Sequence, residues 1–219
     1  MRHPSPLPSG LCTRRLLRAE LGGLVISAAL LAGCGASGAK GSAPVARASP
    51  ASGSASPVTA APAEVNPAGD IPDTVAYVPW ASPDGKTTFV HPEGWAQTTL
   101  PDGVTFTDKL NSVTVTTSPG APPTVAEVQA QVVPNLGGPG RATSISRTET
   151  VSLPAGPAVR VTWQVNSPPD AVTGKVYRDE VMTYLVGSAG RVVRMDLSGA
   201  VGSDNVDPYR KMSQSLVVR

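Results

Sequence analysis

Val159, Val161, Trp163 and Val165 alternate with Arg160, Thr162 and Gln164, the period of a strand with one core face and one solvated face. Val193, Met195 and Leu197 alternate with Arg194 and Asp196 in the same way. So do Val104 and Phe106 with Thr105 and Thr107, and Val113 and Val115 with Thr114. Further strands are expected at Lys86–His91, Trp95–Thr99, Ser144–Leu153 and Gly174–Gly187. Pro83-Asp84-Gly85, Pro101-Asp102-Gly103 and Ser188-Ala189-Gly190 supply turns between them. Two segments carry helical spacing. Thr124 with Glu127 makes a capping box ahead of Val125, Val128, Val132 and Leu136, and Pro134 ends or bends that helix. The second runs from Asp207, its expected cap, to Leu216, with Pro208 in the first turn and Val206, Tyr209, Met212 and Leu216 as its buried stripe. The order of four strands, helix, four strands, helix predicts an α+β domain, an antiparallel sheet with helices packed on it.

A different pattern opens the chain. Arg14, Arg15 and Arg18 precede an uncharged run from Leu21 to Leu31. That run is short of the roughly 20 residues a membrane-spanning helix needs, and it has the build of an export signal. Leu31-Ala32-Gly33-Cys34 resembles the lipobox of bacterial lipoproteins. The resemblance implies cleavage after Gly33 and a diacylglyceryl thioether on Cys34, because small residues let the backbone enter the peptidase and only a thiol forms that bond. Two acyl chains suffice for stable anchoring where one does not. The expected location is therefore the extracytoplasmic face of the cell membrane. Thr13-Arg14-Arg15-Leu16-Leu17 also resembles a twin-arginine export motif, although Arg18 stands where that motif has a hydrophobic residue.

Composition separates the rest. Between Gly35 and Asp70, 27 of 36 residues are Ala, Ser, Pro or Gly and none is aromatic, too little apolar surface to offset the entropy of ordering. Residues 1–33 are thus read as signal peptide, 34–70 as a disordered tether, and 71–219 as one domain. All nine aromatic residues lie from Tyr77 to Tyr209. The formal charge of the whole chain is +2, but residues 1–33 hold four Arg and one Glu, which leaves −1 from Cys34 onward. Nothing in that balance suits a nucleic-acid partner.

Within the folded part, Phe89-Val90-His91-Pro92-Glu93-Gly94-Trp95 resembles the F-x-x-P-x-G-W hairpin of PsbP/Mog1-like domains, including the LpqN-type lipoproteins of actinobacteria. Gly103-Val104-Thr105-Phe106 and the closing helix stand where that family has similar elements. The resemblance implies an antiparallel sheet with helices packed against it, and no shared catalytic residue.

Chemistry is sparse beyond Cys34. Cys12 leaves with the leader and His91 is the one histidine that follows it, so a Cys–His pair, a zinc cluster or an intrachain disulfide is not expected. No phosphate loop, dinucleotide fingerprint or G-x-S-x-G elbow occurs, and no cofactor is expected. His91, next to Pro92 at a strand end, reads as structural. Asp179 and Glu180 face opposite sides of a strand and cannot act as one pair. Trp163 and Trp95 read as core, whereas Trp80, in Val78-Pro79-Trp80, is the candidate for an exposed binding surface. Arg160, Arg178 and Arg194 are expected on a solvated sheet face. These features favour a non-enzymatic envelope module that binds a protein or small ligand. An envelope hydrolase using carboxylates distant in sequence, and a carrier of a hydrophobic ligand, are the alternatives.

Overall fold

Residues 59–60 and 69–219 are described in a computed structural model; the leader, Cys34 and most of the tether lie outside the described residues. The strands are β1 (Tyr77–Ala81), β2 (Thr87–Pro92), β3 (Ala96–Leu100), β4 (Gly103–Asp108), β5 (Asn111–Pro119), β6 (Ser144–Leu153), β7 (Gly156–Asn166), β8 (Arg178–Ser188), β9 (Arg191–Ala200) and β10 (Val217–Val218). They form a small sheet of order β1-β2-β10 and a large one of order β3-β4-β5-β9-β8-β7-β6. Every pairing is antiparallel. Two helical segments pack on the large sheet: α1 (Val125–Glu127) with the turns that continue it to Asn135, and α2 (Val206–Gln214). This is the α+β arrangement that the alternation predicts.

The period of two gives each strand of the large sheet two faces, and both are used. One face presents Val104, Phe106, Val113, Val115, Tyr184, Val186, Met195 and Leu197 to Phe89 of the small sheet and to Tyr209 and Met212 of α2. The other presents Val159, Val161, Trp163, Val165, Val181 and Leu185 to Val128 and Leu136 of the α1 segment. The middle strands are therefore buried on both sides, where a solvated face was expected. Each valine so buried contributes about 1.5–3 kcal/mol. The buried polar groups of Trp163 and Thr183 in the second layer are satisfied in series: Trp163 Nε1 donates to Thr183 Oγ1 (3.0 Å), which donates to Asp196 Oδ1 (2.6 Å).

Four local expectations are corrected. β1 adds a strand to those the alternation predicts; its Pro79 is tolerated because β1 lies at a sheet edge, where the missing N–H is not required. The helix after Thr124 keeps its capping box, with the Glu127 N–H on Thr124 Oγ1 (3.2 Å) and the Thr124 N–H on Glu127 Oε2 (2.7 Å). It then widens into a π turn over Val128–Val132 and tightens into a 3-10 turn at Val133–Asn135, which contains Pro134. α2 starts at Val206, which is exposed, and Asp207 does not cap it but pairs with Arg210 at 2.7 Å. Finally, the three arginines do not share a solvated face. Arg178 is buried, with Nη1 donating to the Ala142 carbonyl (2.6 Å) and Asn166 Oδ1 (3.2 Å) and Nη2 to Ser144 Oγ (2.7 Å). Arg194 alternates onto the sheet face opposite Arg160.

Asn205, the residue before α2, works as a clasp instead of a cap. Its Oδ1 accepts the Ile71 N–H (2.8 Å), and its Nδ2 donates to the Gly69 carbonyl (3.0 Å) and to Asn111 Oδ1 (2.9 Å). Asn111 Nδ2 donates to the same Gly69 carbonyl at 2.7 Å. The strand-to-helix corner thereby fixes the segment that enters the fold.

Candidate ligand-binding cleft

Between the small sheet and the β3–β5 end of the large sheet lies a half-open cleft of about 450 Å3. Its floor comes from the two-residue period: Gln97 and Thr99 of β3, Val104 of β4 and Val115 and Thr117 of β5 stand on one sheet face in register. Its wall is Trp80, the cross-strand partner of Phe89 in β1–β2, with ring centroids 5.4 Å apart. Phe89 meets Phe106 edge-on at 6.0 Å, so the wall is braced against the core. Trp80 is half-buried, neither a core residue nor a free surface one.

The turn after β1 closes one end. Asp84 accepts bonds from Ser82 Oγ (2.6 Å), from the Lys86 N–H (3.1 Å) and from Arg191 Nη1 (3.0 Å), the last reaching across from the start of β9. Gly85 takes a left-handed conformation (φ +67°), which this tight turn requires. The Ser82 hydroxyl above all, then the Lys86 N–H and Arg191, hold the Asp84 carboxyl well below the usual carboxylate range. Asp84 is thus an anion across the whole range of ordinary pH and a poor proton donor. Asp102, in the β3–β4 turn, lines the same cleft. The result is a floor of mixed apolar and hydrogen-bonding side chains and an aromatic wall with an acidic rim, in which Arg191 is already committed to Asp84.

The remaining candidates lie elsewhere. His91 is buried in β2, its ring stacked on Phe106 at 3.6 Å with Nδ1 2.9 Å from the Pro92 carbonyl, and burial lowers its pKa. It packs as a core residue. Trp95 and Trp163 are buried as expected. Asp179 lines a second hollow of about 230 Å3 with Thr107, Ser112, Asp170, Tyr177 and Ser198. Burial pushes its carboxyl up to about 6, against the opposing pull of Arg141 and Arg178. In the same hollow, Asp170 is held below its ordinary value by the backbone N–H and hydroxyl of Thr173 and the N–H of Val172. Sequence reasoning missed Asp84, Asp102 and Arg191 as site residues. The Pro-Asp-Gly turns marked both aspartates as turn residues, but nothing local signals that Asp84 meets an arginine 107 positions away. Among the described residues no group of three His, Cys, Asp or Glu side chains could hold a metal ion, and no helix is long and apolar enough to cross a membrane.

No protein-family model matches the chain, and no curated protein does. Solved structures similar to it include the solution structure of the cyanobacterial PsbP (CyanoP) from Synechocystis, with a TM-score of 0.47 and 14% identity over 70% of this chain and 100% of that one. A crystal structure from Bacteroides thetaiotaomicron has a TM-score of 0.43 and 10% identity, over 64% of this chain and 48% of that one. The crystal structure of the Saccharomyces cerevisiae Ran-binding protein Mog1p has a TM-score of 0.44 and 10% identity, over 66% of this chain and 96% of that one.

Proposed function

We propose that the chain is a lipoprotein of the extracytoplasmic face of the cell membrane, held by lipid on Cys34, whose folded part binds a protein or small ligand in the Trp80 cleft without chemistry of its own. The observation that carries the binding reading is the half-open cleft itself: an aromatic wall, a floor of mixed apolar and hydrogen-bonding side chains and a fixed acidic rim, features of a recognition site. Its best-placed carboxylate, Asp84, is locked as an anion by three donors, which suits recognition of a cation better than proton transfer. The Leu31–Cys34 motif and its arginine-flanked apolar run support the anchor. The kinship to LpqN-type lipoproteins belongs to the same proposal.

The test is a photo-crosslinking amino acid placed at position 80 in intact cells, with the same group at Val172, which is fully exposed on a loop, as control. A discrete adduct at 80 and none at 172 is expected. Identical adducts at both positions would remove the cleft from consideration.

A second reading, an envelope hydrolase, has one observation in its favour: Asp170 and Asp179 share a hollow and their acidities are driven apart, as in an acid/base pair. Turnover of a cell-wall glycan by purified protein, abolished by Asp179→Asn, would establish it.

A further inference from the structure

Four strand edges bound the two sheets, and three carry a feature that stops another strand from adding. β1 has Pro79, β10 has two residues, and β6 has a register break between Ile145 and Arg147 together with the charges of Arg147 and Glu149. β3 has none of these. Its sequence, Ala-Gln-Thr-Thr-Leu, carries no charge and no proline, its register with β4 is unbroken from Ala96↔Thr107 to Leu100↔Gly103, and Ala96 to Thr99 are all exposed.

The direction of its backbone groups follows from one bond. The Thr117 N–H donates to the Asp102 carbonyl at 2.9 Å, so Asp102 and, by alternation, Val104 and Phe106 turn their backbone groups toward β5. Gly103, Thr105 and Thr107 turn theirs toward β3, where Leu100, Thr98 and Ala96 meet them. Gln97 and Thr99 are left with N–H and C=O groups aimed out of the sheet, while their side chains line the Trp80 cleft. The edge is a template of two donor–acceptor pairs beside a recognition site.

Charge decides what fits it. At the start of β3, Glu93 and Asp108 outweigh Lys109; at its end, Asp84 and Asp102 outweigh Arg191. A second copy pairing antiparallel about Thr98 would set Glu93 beside Asp102 of its mate at both ends, acid against acid. A strand with basic ends meets complementary charge instead. We infer that β3 accepts an extended peptide of another protein, uncharged over about five residues and flanked by Lys or Arg, as an added strand whose alternate side chains turn toward the Trp80 cleft. The inference rests on reading that cleft as the binding site.

The probe is a labelled seven-residue peptide with lysine at each end and alternating threonine and valine between, followed by fluorescence anisotropy with the purified full chain. A twin peptide with glutamate ends is the control. The lysine-ended peptide is expected to bind about tenfold or more tighter than its twin, with the gap narrowing as salt rises. Thr99→Pro removes an outward N–H but no bond to β4, and should weaken binding about tenfold at an unchanged unfolding midpoint; Gln97→Pro repeats the test should that variant fail to fold. Thr98→Val should bind as wild type. Equal binding by both proline variants and wild type overturns the inference, as does no binding of the lysine-ended peptide, or dimerisation through β3 in sedimentation. Loss with Trp80→Ala but not with Thr99→Pro would leave the cleft reading standing and overturn strand addition; loss with Thr99→Pro but with neither Thr99→Val, which keeps the N–H, nor Trp80→Ala would leave strand addition standing and overturn the cleft reading.

Discussion

Asn205→Ala puts the structural account at risk in one substitution. The side chain holds the segment Gly69–Ile71 through two bonds, of 2.8 Å to the Ile71 N–H and 3.0 Å to the Gly69 carbonyl, and a third of 2.9 Å ties it to Asn111 of β5. Asn205, Asn111 and Ile71 are each 4% exposed, so water does not replace what is lost without rearrangement. The Ile71 N–H becomes a buried donor with no acceptor, at a cost of about 1–3 kcal/mol, and the two Nδ2 bonds add about 0.5–1.5 kcal/mol each. The sum is about 2–6 kcal/mol, which in a domain of this size lowers the melting temperature by about 5–20 °C. Guanidinium unfolding followed by tryptophan fluorescence reads it, with Asn111→Ala and the double variant completing a cycle. Because both asparagines share the Gly69 carbonyl, the double variant should cost less than the two singles together, by about 0.5 kcal/mol or more. A single variant within about 1 kcal/mol of wild type, or strict additivity, would refute the clasp.

The other predictions are simpler. Gly199→Ala would place a methyl group 2.5 Å from the Tyr209 hydroxyl and 2.6 Å from Asn111 Oδ1, so it should destabilise by about 1–3 kcal/mol in the same unfolding assay. Phe106→Ala, at the centre of the Phe89–Phe106–His91 stack, should cost about 3–5 kcal/mol. Asp179 has its pKa raised from 3.8 to about 6 by burial, so the folded state keeps a proton that the unfolded chain has released between those values. Its contribution to stability is complete below pH 3.8 and is lost as pH rises through about 6. Asp179→Asn should therefore flatten that part of the stability–pH curve and be more stable than wild type at neutral pH. Cys34→Ala should move the protein out of the membrane fraction or block its maturation, read by cell fractionation.

The local signals read well where the physics is local. The alternation in Val159–Val165 and Val193–Leu197 is visible because hydrophobic burial has the strand's own period, and β6 lies on Ser144–Leu153 as expected. The Thr124–Glu127 capping box is a four-residue interaction and needs no tertiary information. What failed depends on distant partners. A proline in β1 is tolerated only because that strand lies at an edge; Arg178 is buried only because Ala142, Ser144 and Asn166 converge on it; Asn205 gives up capping to bind Ile71, 134 residues earlier. The cleft is the same kind of object. Trp80, Asp84, Thr99, Val115 and Arg191 share it through sheet order, and of these only Trp80 stood out in the sequence, as a large aromatic residue that no pattern claimed for the core.

The most direct measurement is intact-protein mass spectrometry of the native molecule isolated from its membrane. A chain that starts at Cys34 and carries the mass of a diacylglyceryl group on sulfur is the predicted result. A free thiol at that position, or a first residue far from it, would contradict the account of a binding module tethered outside the cytoplasm.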